Sequence, residues 1–262
     1  MNKKADLLSD ALEVFVVVHD QDLLLECEQD GRFSGISRLR YIFVGPRPND
    51  KLTGRRNVVI ARDLADNIEA YPHLLSFTGW YAVARNDLAG TRYVVLLEYD
   101  VALATGFVST TLAALRERRR IVGYVPFPLS HPMYLHATPW FIRALAEVYD
   151  IDVVAMMRDY LAAGGTDQWT ATSNAAMAAD DLRALVEWML PLTRVYRHDP
   201  IGAHVHERTL KVFSLLRQIE SLYLPDLLTH AQKRSHKIFA LSQSEAGQRA
   251  MKTGPSARDG VI

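Results

Sequence analysis

Cys27 is the only cysteine in 262 residues. An intrachain disulfide is therefore impossible, a zinc site built from several thiolates is excluded, and a reducing compartment fits. No glycine-rich phosphate loop follows the first apolar stretch, and no Gly-x-Ser-x-Gly elbow occurs anywhere. These absences weigh against a dinucleotide oxidoreductase, a P-loop enzyme and an α/β-hydrolase. Long apolar runs are missing too: nothing approaches the ~18 residues of a membrane span, and Val14 to Val18 is too short for the core of a secretion signal before it closes on His19-Asp20. An excess of charge is also lacking. Thirty basic residues offset thirty acidic ones, which leaves no electrostatic footprint for nucleic acid or an anionic membrane. A cytoplasmic protein with no nucleic-acid partner and no transmembrane segment is expected.

What the chain does have is apolar material in short blocks. At 49% hydrophobic content it is ample for a core. Leu12 to Val18, Leu39 to Val44, Val58 to Ala61, the stretch from Arg92 and Ile121 to Val125 read as strands. Between or after them, helices are expected over Leu74 to Arg85, Thr110 to Arg120, Pro139 to Tyr149 and Ile151 to Leu161, the last stopped by Gly164-Gly165. The run Arg116 to Arg120 reads as a solvated last helical turn complementing the macrodipole, with a phosphate patch as the sharper alternative. Thr170 to Ala178 is a short strand feeding a helix over Leu182 to Leu190, with Asp180 as its N-cap. A long helix covers Ala203 to Tyr223 and Pro225 ends it. Alternation of this kind predicts parallel pairing with ligands at the carboxyl ends of the strands.

The stretch Arg92 to Leu103 organises the rest. Tyr93 to Leu97 is a five-residue apolar block suited to a strand buried on both faces, and Glu98-Tyr99-Asp100 follows it. A buried, unpartnered carboxylate costs several kcal/mol, so the acids are expected where the strand emerges. Two carboxylates at i and i+2 project to one side and suit Mg²⁺ or Mn²⁺ carrying a phosphorylated ligand. The plain alternative is a strand end with solvated acids.

Three pieces, Leu75 to Asn86, Leu96 to Val101 and the segment from Trp169 through Glu207-Arg208, resemble bacterial GT-A-type glycosyltransferases of surface polysaccharide assembly. In such families a helix carrying a tyrosine and ending in a basic residue and Asn, here Arg85-Asn86, precedes a strand that closes on Asp-any-Asp. Glu98-Tyr99-Asp100 departs from that motif at its first position, which weakens the metal role of Glu98 more than that of Asp100. The resemblance implies a single Rossmann-like GT-A domain over about 1–240, with a mostly parallel central sheet flanked by helices and a helical C-terminal part. The donor half would cover about 12–125, the acceptor half about 126–225, and 241–262 would be a mobile tail.

The same resemblance implies a nucleotide-sugar donor, a glycan or lipid-linked acceptor, and Mn²⁺ or Mg²⁺ held by Asp100 helped by Glu98, with His204 or His206 as a returning ligand. A surface or core histidine is the plainer reading of each. His19 and Asp20 would meet the base or ribose, Asp20 serving equally well as a helix cap. Tyr99 and Asn86 fall within the donor-side motifs, and Arg208 or Arg85 would carry phosphate charge in a metal-free variant. For a general base the candidates are Asp180, Asp181 and Glu207, with Glu207 otherwise free to pair with Arg208 or Lys211. Trp169 and Trp188 would stack an acceptor sugar or fill the core, and His131 with His136 is a weak metal signal in a proline-rich loop. Two other classes stay open: a non-catalytic nucleotide-sugar or carbohydrate-binding protein that has lost its second acid, and another doubly wound enzyme such as a methyltransferase.

Overall fold

The computed structural model describes residues 9–45, 52, 54–74, 76–128, 132–170, 173–199 and 202–230. The expected tail, the basic N-terminus and His131 lie outside the described residues, as does the side chain of His136. The described chain through Thr229 forms one compact unit. None of its helices is long and apolar enough to cross a membrane.

The first strand, β1 (Ser9–Val18), is the hub. It pairs in parallel with β2 (Leu39–Phe43) on one side and with β4 (Thr91–Glu98) on the other, and β3 (Val58–Ile60) extends the sheet beyond β2. Along β1 the pleat sends Phe15 and Val17 to one face and Val14, Val16 and Val18 to the other, and all five are buried. Helices cover both faces, which is why the run from Val14 to Val18 is apolar without interruption. On the Phe15 face lie α2 (Ser76–Arg85), α6 (Ala179–Tyr196) and α7 (Gly202–Leu216), through Trp80, Leu185 and Phe213. On the Val14 face lie α1 (Gln21–Gln29) and α3 (Phe107–Glu117), through Leu24, Cys27, Phe107 and Leu115.

Beyond β4 the sheet reverses once. β9 (Ala175–Ala178) inserts antiparallel between β4 and β6 (Arg120–Gly123), and β10 (Glu220–Tyr223) closes the edge in parallel with β6. The full order is β10-β6-β9-β4-β1-β2-β3. Alternation of elements predicts parallel pairing, so β9 is a departure; three small residues, Ala175, Ala176 and Ala178, with Met177 packed into the core, fit between two strands already covered on both faces. Short β5 (Val101–Leu103), β7 (Pro126–Pro128) and β8 (Gln168–Thr170) lie outside this sheet, with β7 and β8 pairing antiparallel. A third apolar cluster joins α4 (Pro132–Tyr149) and α5 (Val153–Ala162) to α6 and α7.

Several element boundaries differ from expectation for identifiable reasons. α3 stops at Glu117, and Arg120 belongs to β6, where its guanidinium is buried and bonded to Glu117 (2.7 Å) and Glu220 (2.8 Å), so it is no solvated helix end. α4 starts before Pro139 and runs through it. α6 begins at Ala179 with Ala178 at the cap position, leaving Asp180 and Asp181 in the first turn, and it continues past Leu190 through Pro191 to Tyr196. α7 ends at Leu216. Gln218, at φ 52°, turns the chain, and the residues expected to prolong the helix become β10 because β6 offers an open edge.

Candidate functional site

β1 and β4 run in parallel, so their carboxyl ends emerge side by side: Val17 pairs with Glu98. This edge brings together His19, Asp20, Glu98, Tyr99 and Asp100. Asp20 caps α1, its Oδ1 accepting from the Asp22 (2.8 Å) and Leu23 (3.1 Å) backbone N–H groups. The exposed His19 ring meets the Tyr99 ring edge-on at 5.1 Å between centroids. Burial and the charges of Asp100 and Glu98 push the Tyr99 phenol up to about 12, so it is neutral at any physiological pH.

The turn that carries Asp100 is held from behind. The Tyr99 carbonyl accepts from Arg32 Nη1 at 2.9 Å and from Cys27 Sγ at 3.4 Å, and the Arg32 guanidinium is itself fixed by Asp30 at 2.8 and 3.0 Å. Asp100 Oδ1 is buried and accepts no hydrogen bond. A carboxylate oxygen shielded from water and bonded to no donor is disfavoured unless a cation meets it.

Glu98 is held differently. Ser76, at the first position of α2, donates to Oε1 at 2.6 Å. Asn174, just before β9, accepts the Glu98 backbone N–H at 2.8 Å and donates to Oε2 at 3.3 Å. Burial and then the nearby Asp100 raise the Glu98 carboxyl to about 7, with Glu207 adding to the rise and the bonds from Ser76 and Asn174 opposing it. Glu98 thus faces inward rather than into solvent. It lines a narrow cleft with Ser76, Ser173, His206 and Glu207, walled on its apolar side by Phe77 and Trp80. Glu207 enters that cleft from α7, and His204 Nδ1 lies 3.4 Å from its Oε2.

The remaining candidates are dispersed. His206 is buried beneath Phe77, ring centroids 4.4 Å apart, with Nδ1 2.6 Å from the Gly202 carbonyl and Nε2 3.0 Å from the Thr193 hydroxyl. The carbonyl can only accept, so Nδ1 carries the proton; Nε2 lies against the Thr193 hydroxyl, which also reaches the Met189 carbonyl at 3.0 Å, and both nitrogens are engaged by protein atoms. Arg85 and Asn86 lie at the far end of α2 from Ser76. Arg85 pairs there with Asp66 (2.9 Å) and Glu187, and Asn86 bonds the backbone of Asp66 and Ala82. Because β9 is antiparallel to β4, Asn174 sits beside Glu98 while Asp180 and Asp181 follow at the opposite sheet edge. Asp181 is buried against Arg119, 3.1 Å from its Nε, and Asp180 pairs with Arg183. Arg208 is buried with Nη1 directed to the His204 carbonyl. Trp169 packs edge-on to Phe141 at 5.7 Å, and Trp188 stacks on Tyr149 at 4.9 Å. Lys211 turns from Glu207 to the Tyr160 hydroxyl, 3.1 Å away.

Ser76, Asn174 and Arg32 also hold the candidate site. Ser76 and Asn174 lie within the stretches that carry the glycosyltransferase resemblance without being singled out there as site residues, and Arg32 carries no signal in the sequence.

Among the described residues no three His, Cys, Asp or Glu side chains gather as a metal set. The observation that does fit a cation is Asp100: its oxygen is a hard donor without a hydrogen bond, and Mg²⁺ in particular takes one or two carboxylates and draws its other ligands from phosphate and water. Glu98, with both oxygens engaged by Ser76 and Asn174, fits that role less well.

No family model and no curated protein sequence matches the chain. Among solved structures, the apo structure of WbbM, described as a bifunctional glycosyltransferase, superposes with a TM-score of 0.56 at 12% identity over 85% of this chain and 46% of that one. The chain therefore spans about half the length of that relative. Core-mannan synthase A (CmsA/Ktr4) from Aspergillus fumigatus, in an Mn/GDP form, aligns at a TM-score of 0.43 and 13% identity over 86% of this chain and 78% of that one. The mixed α/β architecture, with its mostly parallel central sheet, is the fold of GT-A-type glycosyltransferases.

Proposed function

We propose that the chain is a glycosyltransferase that moves a sugar from a nucleotide-sugar donor to a glycan or lipid-linked acceptor of a surface polysaccharide. The observation that carries this reading is the Asp100 oxygen, buried and without a hydrogen bond at the carboxyl edge of a GT-A-type sheet, one turn from His19-Asp20. Mn²⁺ or Mg²⁺ at Asp100 would supply positive charge to the donor diphosphate. Arg32 and Cys27 fix the turn so that Asp100 is positioned before the donor arrives, and preorganisation of this sort is where electrostatic stabilisation gains most. Asp20, whose Oδ1 is given to the α1 cap, offers Oδ2 to a ribose hydroxyl or base N–H, and the exposed His19 edge flanks it.

Glu207 is the general-base candidate that shares the cleft with Glu98, whereas Asp180 and Asp181 lie across the sheet. In this reading the acceptor oxygen bonds to the anomeric carbon as that carbon's bond to the diphosphate breaks. The acceptor proton passes to the Glu207 carboxylate, and the nucleoside diphosphate leaves.

The test is donor hydrolysis. With Mn²⁺ and a panel of nucleotide sugars, the protein should slowly release nucleoside diphosphate from one of them, and Asp100→Ala should remove that activity while leaving the fold intact. A thermal shift with S-adenosylmethionine and none with nucleoside diphosphates would sink the reading. The engagement of both Glu98 oxygens favours one second reading, a nucleotide-sugar-binding protein without turnover. That reading predicts donor binding with no diphosphate release under any metal.

A further inference from the structure

Trp80 brings to the cleft a polar atom that neither the metal nor the general base uses. Its indole is 4% exposed, and its Nε1–H is buried without a hydrogen-bond acceptor although the residue lines the cleft. A buried donor left unmet costs about as much as a lost hydrogen bond, so an occupant of the cleft that accepts from it is stabilised. Ser76 stands one helical turn before Trp80 on α2, and residues four apart share a helix face. The Ser76 hydroxyl gives its proton to Glu98 Oε1 at 2.6 Å, and no described residue donates to its Oγ. The face that α2 turns to the cleft therefore carries one donor without an acceptor and, a turn away, one oxygen able to accept.

Such a pair suits a group that does both. A hydroxyl accepts from the indole and donates to Oγ, whereas an ammonium cannot accept and a carboxylate cannot donate. A carboxylate is opposed as well by Glu98 and Glu207, which line the same cleft. Space narrows the choice. The cavity is about 30 Å³, and one water needs about 10–15 Å³, so a hydroxymethyl arm fits and a sugar ring stays outside. Phe77 and Met189 offer apolar walls to the methylene, and the Glu207 side chain, 20% exposed, marks the mouth.

We propose that the cleft binds the hydroxymethyl group of a sugar, its oxygen accepting from Trp80 Nε1–H and its proton directed to Ser76 Oγ. That the occupant is a sugar rests on the transferase reading; the hydroxyl-sized site does not. Under that reading Trp80 is a specificity-determining residue that favours a hexose with a free terminal hydroxyl over its deoxy counterpart.

Nuclear magnetic resonance of the full chain with isotope-labelled tryptophan tests the site. Four indole N–H signals are expected, and Trp80→Phe identifies one by its loss. Ethanol should shift the Trp80 signal saturably and leave those of Trp140, Trp169 and Trp188 in place. The bulkier tert-butanol should not shift it, nor should acetate or ethylammonium. Ser76→Ala keeps the indole as reporter and should weaken ethanol about three- to tenfold, the effect of one hydrogen bond. Saturation transfer to the ethanol methyl reads the same loss in Trp80→Phe. An unmoved Trp80 signal, an equal shift by tert-butanol or acetate, or undiminished ethanol affinity in Ser76→Ala would each overturn the site. These probes contain no nucleotide sugar, so their failure leaves the Asp100 reading standing, and failure of donor hydrolysis leaves the hydroxyl site standing. In the transferase assay the sugar with the hydroxymethyl group should outperform its terminal deoxy analogue by at least about tenfold, and parity would overturn the assignment to a sugar.

Discussion

Asn174 holds Glu98 twice, accepting its backbone N–H at 2.8 Å and donating to its side chain at 3.3 Å across 76 residues of sequence. One amide thereby terminates β4, starts β9 and fixes the orientation of the cleft's innermost carboxyl. Asn174→Ala leaves a donor and an acceptor unmet, and a cost of about 1–3 kcal/mol is expected from the buried groups involved. Urea unfolding of the two proteins measures it. Asn174→Asp keeps the acceptor and replaces the donor by a negative charge facing Glu98, so it should be more destabilising at pH 8 than at pH 5.

Placement across the sheet separates the acidic candidates. Asp180→Ala should leave donor hydrolysis and sugar transfer within about twofold of the parent, since its partner is the neighbouring Arg183 at the edge away from Glu98. Glu207→Gln should cut transfer by about 10²–10⁴-fold, the range of a lost general base, with donor affinity little changed. Equal losses from the two substitutions would move the reacting centre away from the cleft.

The same comparison shows what the sequence makes legible. Tyr93 to Leu97 announces a doubly covered strand, and the acids that follow mark its carboxyl end; both hold because burial and alternation are local properties. The role of Asn174 was out of reach, because its meeting with Glu98 depends on an antiparallel strand inserted between two others. Asp180 and Asp181 looked as suitable as Glu207 for the same reason: composition does not tell which end of the sheet a residue reaches. Arg32 lies after a helix, in a polar stretch of ordinary composition, and only the fold brings it to the Tyr99 carbonyl.

His206 predicts an acid limb in stability. Burial lowers its pKa from 6.5 to about 4, against the opposing bond to the Gly202 carbonyl. The unfolded chain takes up the imidazole proton near pH 6.5, whereas the folded chain resists until about 4. This contribution is whole above pH 6.5 and drains away as pH falls through that window, by about 3 kcal/mol at most. His206→Gln should be less stable than the parent at pH 7 and should lose less stability between pH 7 and pH 4. Chemical denaturation at both values checks the sign.

Gly79 fixes how closely α2 approaches the sheet. A Cβ there would lie 2.4 Å from Val17 Cγ2 and 3.0 Å from Cγ1, on a central strand with no room to retreat. Gly79→Ala gains about 1 kcal/mol of helix propensity, and the overlap costs about 1–3 kcal/mol. A net loss of stability is expected, together with reduced transfer, because lifting α2 draws the Ser76 hydroxyl away from Glu98. A melting curve and an activity assay on the one variant read both effects.

The reversed strand β9 also sets an order of assembly. β4 and β6 share no ladder of their own; the short strand at residues 175–178 joins them, and β10 closes the edge from residue 220 onward. On a ribosome, where synthesis adds about 5–20 residues each second, the first half of the chain would wait several seconds with the flank of β4 unpaired. Pairings this distant in sequence also slow folding from the denatured state. Nascent chains released before residue 174 should therefore be the ones that most need a chaperone, and the carboxyl that Asn174 secures should be among the last groups to reach its native protection.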